Sequence, residues 1–215
     1  MQHLENNYEK MAAKARALFL TYDQEEIVRR NGLEADGDWL YARLLDLDLR
    51  LSRRDGSLEQ REGGAWIPCP GVNEPMVLLD ILCDSKPGRH PLGTWKNTLE
   101  FGYGVHRALQ ENAPATPLEK RIDRDPGYLR RRCLAMGGAD ACGAGGADMA
   151  FLLPFFQDLN MLAQFWHGDE EFPPRLRILW DAGAGDYLRY ETMYYAVSLA
   201  LRRLAADGIL SPSGD

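Results

Sequence analysis

The segment from Leu45 to Leu51 alternates leucine with a charged residue at every position. Because successive side chains of a β-strand point to opposite faces, this order places all the leucines on one face. It predicts a half-exposed antiparallel strand within Trp39 to Leu51, and hence a sheet covered on one side only. Asp55-Gly56 offers a tight turn, after which Ser57 to Arg61 can pair back, so residues 39–61 are predicted to form a β-hairpin.

Helical periodicity predicts the elements on either side of this hairpin. Apolar residues recur every three or four positions at the start of the chain, and a capping pair, Asp23 with Glu26, opens a second helix at Gln24. Residues 1–32 are therefore predicted to be an N-terminal helical segment. Residues 73–134 are predicted to be mostly helical, with one helix capped by Asn73 and another that runs from Thr116 toward Cys133. Thr116 and Glu119 are predicted to form a capping box at the start of this second helix.

Two short apolar runs, Leu159 to Trp166 and Leu176 to Trp180, predict strands buried on both faces, and an acidic loop joins them. A closing helix over Tyr187 to Ala206 completes a strand-loop-strand-helix unit in residues 150–206. The predicted fold class is therefore α+β. We expect a single domain over residues 1–215, in which a mainly antiparallel sheet is flanked by the N-terminal and C-terminal helices.

The charge balance narrows the class of partner. Lys and Arg number 25 against 32 Asp and Glu, and the resulting net charge of −7 provides no general attraction for nucleic acid or anionic lipid. The sequence contains neither an apolar stretch of membrane-spanning length nor the pattern of a signal peptide. We therefore expect no nucleic-acid partner, no membrane partner and a cytoplasmic location.

Common cofactor motifs do not occur in the sequence. No pair of the 4 cysteines has the Cys-x-x-Cys spacing of zinc or iron–sulfur sites. Gly88 to Gly93 has the spacing of a phosphate-binding loop but is followed by Thr94-Trp95 instead of the required lysine, and Gly143-Ala144-Gly145 lacks the dinucleotide spacing. The cofactor is therefore unknown: we expect no nucleotide or iron–sulfur group, while the carboxylates leave a divalent cation open.

The acidic loop concentrates ionisable side chains between two apolar runs. Asp169, Glu170 and Glu171 repel one another, so a cation or a row of backbone N–H groups must compensate if they are held together. A solvated loop needs no compensation. His167 is a candidate ligand or proton carrier, because imidazole titrates near neutral pH, or else an ordinary surface histidine. A binding site and a rigid structural turn are both open interpretations.

Several segments after Asn73 carry a resemblance to a known family. They are Leu92-Gly93-Thr94-Trp95, Gly137-Gly138 with Asp148 beyond, Phe165 to Pro173, and Ile178 to Glu191. Together they resemble domain of unknown function 3786, a family found largely in anaerobic bacteria. Its typical run is an apolar strand, Gly-Asp-Glu-Glu-Phe-Pro, a second strand ending in Asp, and a Tyr-Leu-x-x-Glu helix. The resemblance implies where a site lies. Because some relatives are joined to an iron–sulfur segment similar to that of corrinoid proteins, it also implies an accessory role in anaerobic one-carbon or corrinoid metabolism.

Three functional hypotheses follow, and whether the chain is an enzyme stays open. The first is an accessory module that binds a small molecule or a protein. The second is a metal-assisted hydrolase or transferase in which Asp169, Glu170 and Asp181 hold a cation while His167 or Glu171 moves a proton. The third is a structural subunit with no ligand. Convergence of the carboxylates would favour the first two hypotheses, and dispersal into solvent the third. The candidate binding residues are Trp95, Trp166, His167, Asp169, Glu170, Glu171, Phe172, Asp181, Tyr187 and Glu191.

Overall fold

This computed structural model describes residues 2–102, 115–141 and 143–206 of the chain. These residues contain helices and two antiparallel sheets, joined by turns and loops. The α+β prediction is confirmed, but the strands form two five-stranded sheets instead of one. No helix in those ranges is long and apolar enough to cross a membrane. The helices are α1 (Gln2–Phe19), α2 (Gln24–Asn31), α3 (Asn73–Asp84), α4 (Pro117–Arg124), α5 (Pro126–Ala135) and α6 (Tyr190–Ala205).

The N-terminal sheet is a meander in which each strand pairs with the next. Its strands are β1 (Glu34–Ala35), β2 (Trp39–Leu44), β3 (Leu47–Ser52), β4 (Leu58–Glu62) and β5 (Ala65–Pro68). The single strand predicted within residues 39–51 is wrong, because the chain reverses at Leu45-Asp46 and Leu44 pairs with Leu47. Leu45 is nevertheless buried, and its N–H donates to the carbonyl oxygen of Phe155 at 2.8 Å. Burial of this turn residue explains why the leucine alternation continues through the reversal.

The turn predicted at Asp55-Gly56 is confirmed. Leu51 pairs with Leu58 across it, and the Asp55 carboxylate accepts the N–H of Ser57 at 2.9 Å. Hydrogen bonds from Ser57 lower the pKa of Asp55 to about 2. Gly63-Gly64, with φ of 56° and 86°, then turns the chain into β5. Glycine suits both positions because it adopts positive φ without steric strain.

The C-terminal sheet has the order β6-β10-β9-β8-β7. Its strands are β6 (Trp95–Lys96), β7 (Ala139–Asp140), β8 (Met149–Phe156), β9 (Leu159–Trp166) and β10 (Arg175–Asp181). The prediction of β9 is confirmed to the residue, and β10 extends one residue beyond its predicted range at each end. Strand β8, whose apolar run contains Pro154, was not predicted from the sequence. A proline fits there because the short edge strand β7 pairs only with Phe151 and Leu152.

Two helix predictions are confirmed at their N-terminal caps, and one needs correction. The Asp23 carboxylate accepts the N–H groups of Glu25 and Glu26 at the start of α2. Thr116 and Glu119 form the predicted capping box of α4. The single helix predicted from Thr116 toward Cys133 is wrong, because Pro126 cannot continue the hydrogen-bond ladder and the chain begins a new helix, α5, there.

The closing helix begins three residues later than predicted, at Tyr190. Ala182–Asp186 instead forms a short 3-10 helix, and Tyr187 lies between the two with its side chain fully buried. The predicted N-cap Asn73 is likewise the first residue of α3 and not its cap. Helices α3 and α6 pack together, and one hydrophobic core includes residues from both helices and both sheets.

The thiols of this core should be chemically inert in the folded protein. Burial raises the pKa of both Cys83 and Cys133 to about 12, and that of Cys69 to about 11. Because the thiolate is the reactive form, we expect iodoacetamide near pH 8 to label these cysteines at least about tenfold more slowly in the native protein than in urea. Peptide mass spectrometry of timed samples measures this difference. Rapid native labelling of Cys133 would contradict its burial.

Candidate functional site

The acidic loop, residues 167–174, is the connection of a β-hairpin. It leaves β9 after Trp166 and enters β10 at Arg175, and these two residues pair directly across the hairpin. Residues 167–173 are exposed. The Trp166 indole N–H donates to the carbonyl oxygen of Gly146 at 3.1 Å, and the Arg177 guanidinium lies 5.0 Å from the centre of its ring. The base of the loop is therefore fixed on both strands.

Asp169 closes the loop into a turn. Its carboxylate accepts the N–H groups of Glu171 at 2.8 Å and Phe172 at 2.7 Å, and its own N–H donates to the Phe172 carbonyl oxygen at 2.9 Å. The N–H groups of Phe172 and Glu171 lower the pKa of Asp169. Glu170 and Glu171 point their charge into solvent. The repulsion among the three carboxylates is thus relieved by backbone N–H groups at Asp169 and by water at Glu170 and Glu171.

His167 is held by two aspartates from outside the loop. The Asp123 carboxylate of α4 lies 2.9 Å from His167 Nδ1 and accepts the N–H of Gly168 at 3.2 Å. Asp148 accepts the backbone N–H of His167 at 2.8 Å. The His167 ring also packs edge-on against Phe165, with 5.3 Å between the ring centres. These contacts orient the imidazole and attach the start of the loop to α4.

Glu119 of α4 attaches the end of the loop. One of its oxygens accepts the N–H of Thr116 at 2.7 Å, and the other accepts the N–H of Leu176, in β10, at 2.9 Å. The Arg175 guanidinium lies 3.8 Å from the same carboxylate, which is buried. Helix α4 is therefore a platform that contacts both ends of the acidic loop, through Asp123 at the first and Glu119 at the second.

The acidic loop surrounds a shallow depression on the surface. The depression has a volume of about 500 Å³ and is lined by Asp123 and by the residues from Gly168 to Pro174. Phe172 projects at its rim with 61% of its surface exposed. The depression is thus bordered by one exposed aromatic ring and by the solvated carboxylates of Glu170 and Glu171.

Asp181 lies at the opposite end of β10 from the acidic loop. Its buried carboxylate accepts the N–H groups of Leu92, Gly93 and Gly183, each at 2.7 Å. It pairs with Trp95 in the short strand β6. Asp181 therefore fixes the loop that precedes β6 and the 3-10 helix that follows β10. Its three donors satisfy the charge without a ligand.

Tyr187 and Glu191 are not in the acidic loop's surroundings. The buried Tyr187 hydroxyl donates to Asp158 at 2.8 Å, and the Arg89 guanidinium lies 4.9 Å from the centre of the tyrosine ring. Burial and the hydrogen bond to Asp158 raise the pKa of Tyr187. Glu191 is exposed on α6. The structure thus divides the ten candidate residues between the acidic loop and the opposite end of the sheet.

This division corrects the hypothesis of a shared cation site. Asp181 is separated from Asp169 and Glu170 by the full length of β10, roughly 20 Å for a strand of this size. Among residues 2–102, 115–141 and 143–206, no three His, Cys, Asp or Glu side chains are placed to hold a metal ion. The structure does not bring the three carboxylates together.

The residues that hold the acidic loop in place were not predicted from the sequence. Asp123 and Glu119 lie 44 and 57 residues away from the groups they contact, so no local pattern connects them. The sequence pattern indicated that Glu119 caps a helix, but not that it also contacts Leu176. Asp148 was noted only as part of the family resemblance.

The contact between Asp123 and His167 gives a pH-dependent prediction. Hydrogen bonds from His167 and from the Gly168 N–H lower the pKa of Asp123 in the folded protein. A carboxyl whose folded pKa is depressed stabilises the fold above its unfolded pKa, and this stabilisation is lost as the pH falls through the folded pKa. As the pH falls from about 5 to about 2, we expect the free energy of unfolding to decrease less in Asp123→Asn than in the wild type. Urea unfolding at a series of pH values tests this, and parallel pH profiles for both proteins would contradict it.

The sequence comparisons support the resemblance noted above. No curated protein and no solved structure matches the chain. A protein-family model matches residues 23–203, which include the acidic loop, α4 and every strand. The chain belongs to the family described as Domain of unknown function (DUF3786).

Proposed function

We propose that this protein is a binding module whose acidic loop docks a cationic segment of another protein. The observation that carries the proposal is the exposure of Phe172 on a turn that Asp169 closes. Preorganised loops lose little conformational entropy on binding, and a central aromatic side chain can supply much of the interface energy. The partner is thus a protein and not a small molecule, the two kinds of ligand that the first hypothesis from the sequence allowed.

The charges around Phe172 set the chemistry of the partner. Glu170 and Glu171 are solvated next to the aromatic ring, and the depression beside them is lined by a further carboxylate, Asp123. An arginine- or lysine-containing segment with an apolar side chain complements this surface in both charge and polarity. The two glutamates steer and orient such a segment, while Phe172 provides the apolar contact.

The alternative of a metal-assisted hydrolase or transferase receives no comparable support. It requires Asp181 next to Asp169, and Asp181 lies at the other end of β10 with three backbone donors. The link to anaerobic one-carbon or corrinoid metabolism rests on the family resemblance alone. The cytoplasmic location likewise stays a prediction from the sequence.

Binding of a defined peptide tests the proposal. The probe is a short fluorescent peptide of alternating Arg and Leu, with a Glu and Leu peptide as its charge-reversed counterpart. We expect the basic peptide alone to bind, and Glu170→Gln/Glu171→Gln to weaken its affinity about tenfold, or ~1.4 kcal/mol. Added salt should weaken binding to the wild type, because the contacting charges are exposed.

The control for this experiment carries the same change of charge elsewhere. Glu34→Gln/Asp38→Asn removes two exposed carboxylates from the N-terminal sheet region. If this control weakens binding as much as Glu170→Gln/Glu171→Gln does, the peptide responds to the net charge of −7 and not to the acidic loop. That result, or the absence of any binding, would overturn the proposal.

A further inference from the structure

His167 lies at the start of the acidic loop and carries the side chain that ordinarily gains a proton near neutral pH. The side chain is 37% exposed, so protons reach it from solvent. The ring is nevertheless held in one orientation, by the Asp123 carboxylate at Nδ1 and by the edge-on contact with Phe165. A titratable group is thus fixed beside the acidic loop, and the function proposed above gives it no role.

The surroundings of His167 are acidic. The charged groups in the acidic loop, or in contact with either end of it, are Asp123, Glu119, Asp148, Asp169, Glu170, Glu171 and Arg175. Arg175 is the one cation of this set, and its guanidinium lies 3.8 Å from the buried Glu119 carboxylate. The basic residues nearest to Asp123 in the sequence of α4, Lys120 and Arg124, are exposed and do not line the depression.

Asp123 connects His167 to the depression beside the acidic loop. The depression is lined by four carboxylates, those of Asp123, Asp169, Glu170 and Glu171, and none of the described residues that line it is basic. Hydrogen bonds lower the pKa of both Asp123 and Asp169, so these two carboxylates are ionised throughout the range in which an imidazole titrates. A proton taken up by His167 therefore places a positive charge next to one carboxylate of the proposed docking surface.

The hydrogen bond between His167 and Asp123 does not require the proton. A neutral imidazole with its hydrogen on Nδ1 donates to the Asp123 carboxylate, as an imidazolium does. The Gly168 N–H also donates to Asp123 and the Asp148 carboxylate accepts the backbone N–H of His167, whatever the charge of the ring. Protonation thus changes the charge at the base of the acidic loop while the loop keeps its attachment to α4.

We propose that docking at the acidic loop is regulated by pH through His167. With the imidazole neutral, all four carboxylates of the depression attract the cationic segment of the partner. With the imidazole protonated, its charge compensates that of Asp123, and the segment binds less tightly. By linkage, the segment must then release protons as it docks. This inference rests on the proposed function, since it concerns the same surface and the same partner.

Binding of the fluorescent Arg and Leu peptide at two pH values tests the proposal. At constant ionic strength, we expect the wild type to bind the peptide about threefold more weakly at about pH 5.5 than at about pH 7.5, the effect of one added charge near an exposed site. His167→Gln keeps an N–H donor for Asp123 and is uncharged at both pH values, so it should bind the peptide equally at both. Calorimetry in buffers of different ionisation enthalpy should detect proton release on binding by the wild type and none by His167→Gln.

His90→Gln is the matched control, since His90 is an exposed histidine in the loop that precedes β6, at the opposite end of β10. It should keep the pH dependence of the wild type. Circular dichroism at both pH values verifies that each protein is folded. If the wild type binds the peptide equally tightly at both pH values, or if His167→Gln keeps the pH dependence, the regulation is overturned while the docking function stands. If the peptide binds at neither pH, both proposals are overturned.

Discussion

Replacement of Asp181 by alanine should lower the free energy of unfolding by about 3 to 5 kcal/mol. The carboxylate is 2% exposed and accepts three backbone N–H groups, from Leu92, Gly93 and Gly183. Its removal leaves these donors without their acceptor in a buried environment. Asp181→Asn should also be destabilising. The NH2 group of the asparagine side chain would face at least one of these backbone N–H groups, and two donors cannot form a hydrogen bond. Urea unfolding followed by circular dichroism measures both losses.

Asp169→Ala is the control for Asp181→Ala. Asp169 also accepts backbone N–H groups, but it is exposed, so water replaces the lost hydrogen bonds. The expected loss is about 1 kcal/mol or less. If the two variants lost equal stability, the buried hydrogen bonds of Asp181 would contribute no more to stability than the exposed ones of Asp169. That result would contradict the structural role of Asp181. A stable Asp181→Ala protein that had lost affinity for a divalent cation would revive the metal hypothesis.

Replacement of Glu119 by alanine should cost about 2 to 4 kcal/mol and should also loosen the acidic loop. The buried carboxylate caps α4 through the Thr116 N–H and fixes the start of β10 through the Leu176 N–H. Both contacts disappear together in the variant. Amide hydrogen exchange should therefore become faster in residues 168–174 as well as at the start of α4.

Two variants separate these effects of Glu119. Glu119→Gln keeps an acceptor oxygen and should lose about half as much stability as Glu119→Ala. Thr116→Ala removes the hydroxyl that accepts the Glu119 N–H but leaves the Leu176 contact, so it should destabilise α4 by about 1 kcal/mol without faster exchange in the loop. Unchanged loop exchange in Glu119→Ala would contradict the role of α4 as the loop's platform.

Those features of the fold that depend on local patterns could be predicted from the sequence. The run Leu159–Trp166 and the Asp23 and Thr116 caps each act over a few residues, and the structure has them where the patterns indicate. The errors occur where two local signals compete. The reversal at Leu45 keeps its leucine buried through a contact with Phe155, more than 100 positions away, so alternation alone cannot distinguish a turn from a strand.

The candidate site shows the same limit more strongly. The concentration of charge in residues 167–172 identified the loop, because a charged segment between two apolar runs is visible in the sequence. The partners that hold it, Asp123 and Glu119, come from a helix that only the tertiary fold brings near. Whether a carboxylate such as Asp181 meets a ligand or a set of backbone N–H groups also depends on that fold.

The most direct test of the acidic loop as a docking surface is site-specific photocrosslinking in the cells that produce the protein. A benzophenone amino acid replaces Phe172, whose exposed ring it resembles, or Leu134, which is 44% exposed on α5 and serves as the control. We expect a discrete crosslinked product with one protein from position 172, and we expect it to be absent from position 134 and reduced by Glu170→Gln/Glu171→Gln. No product from position 172, or the same product from both positions, would contradict it.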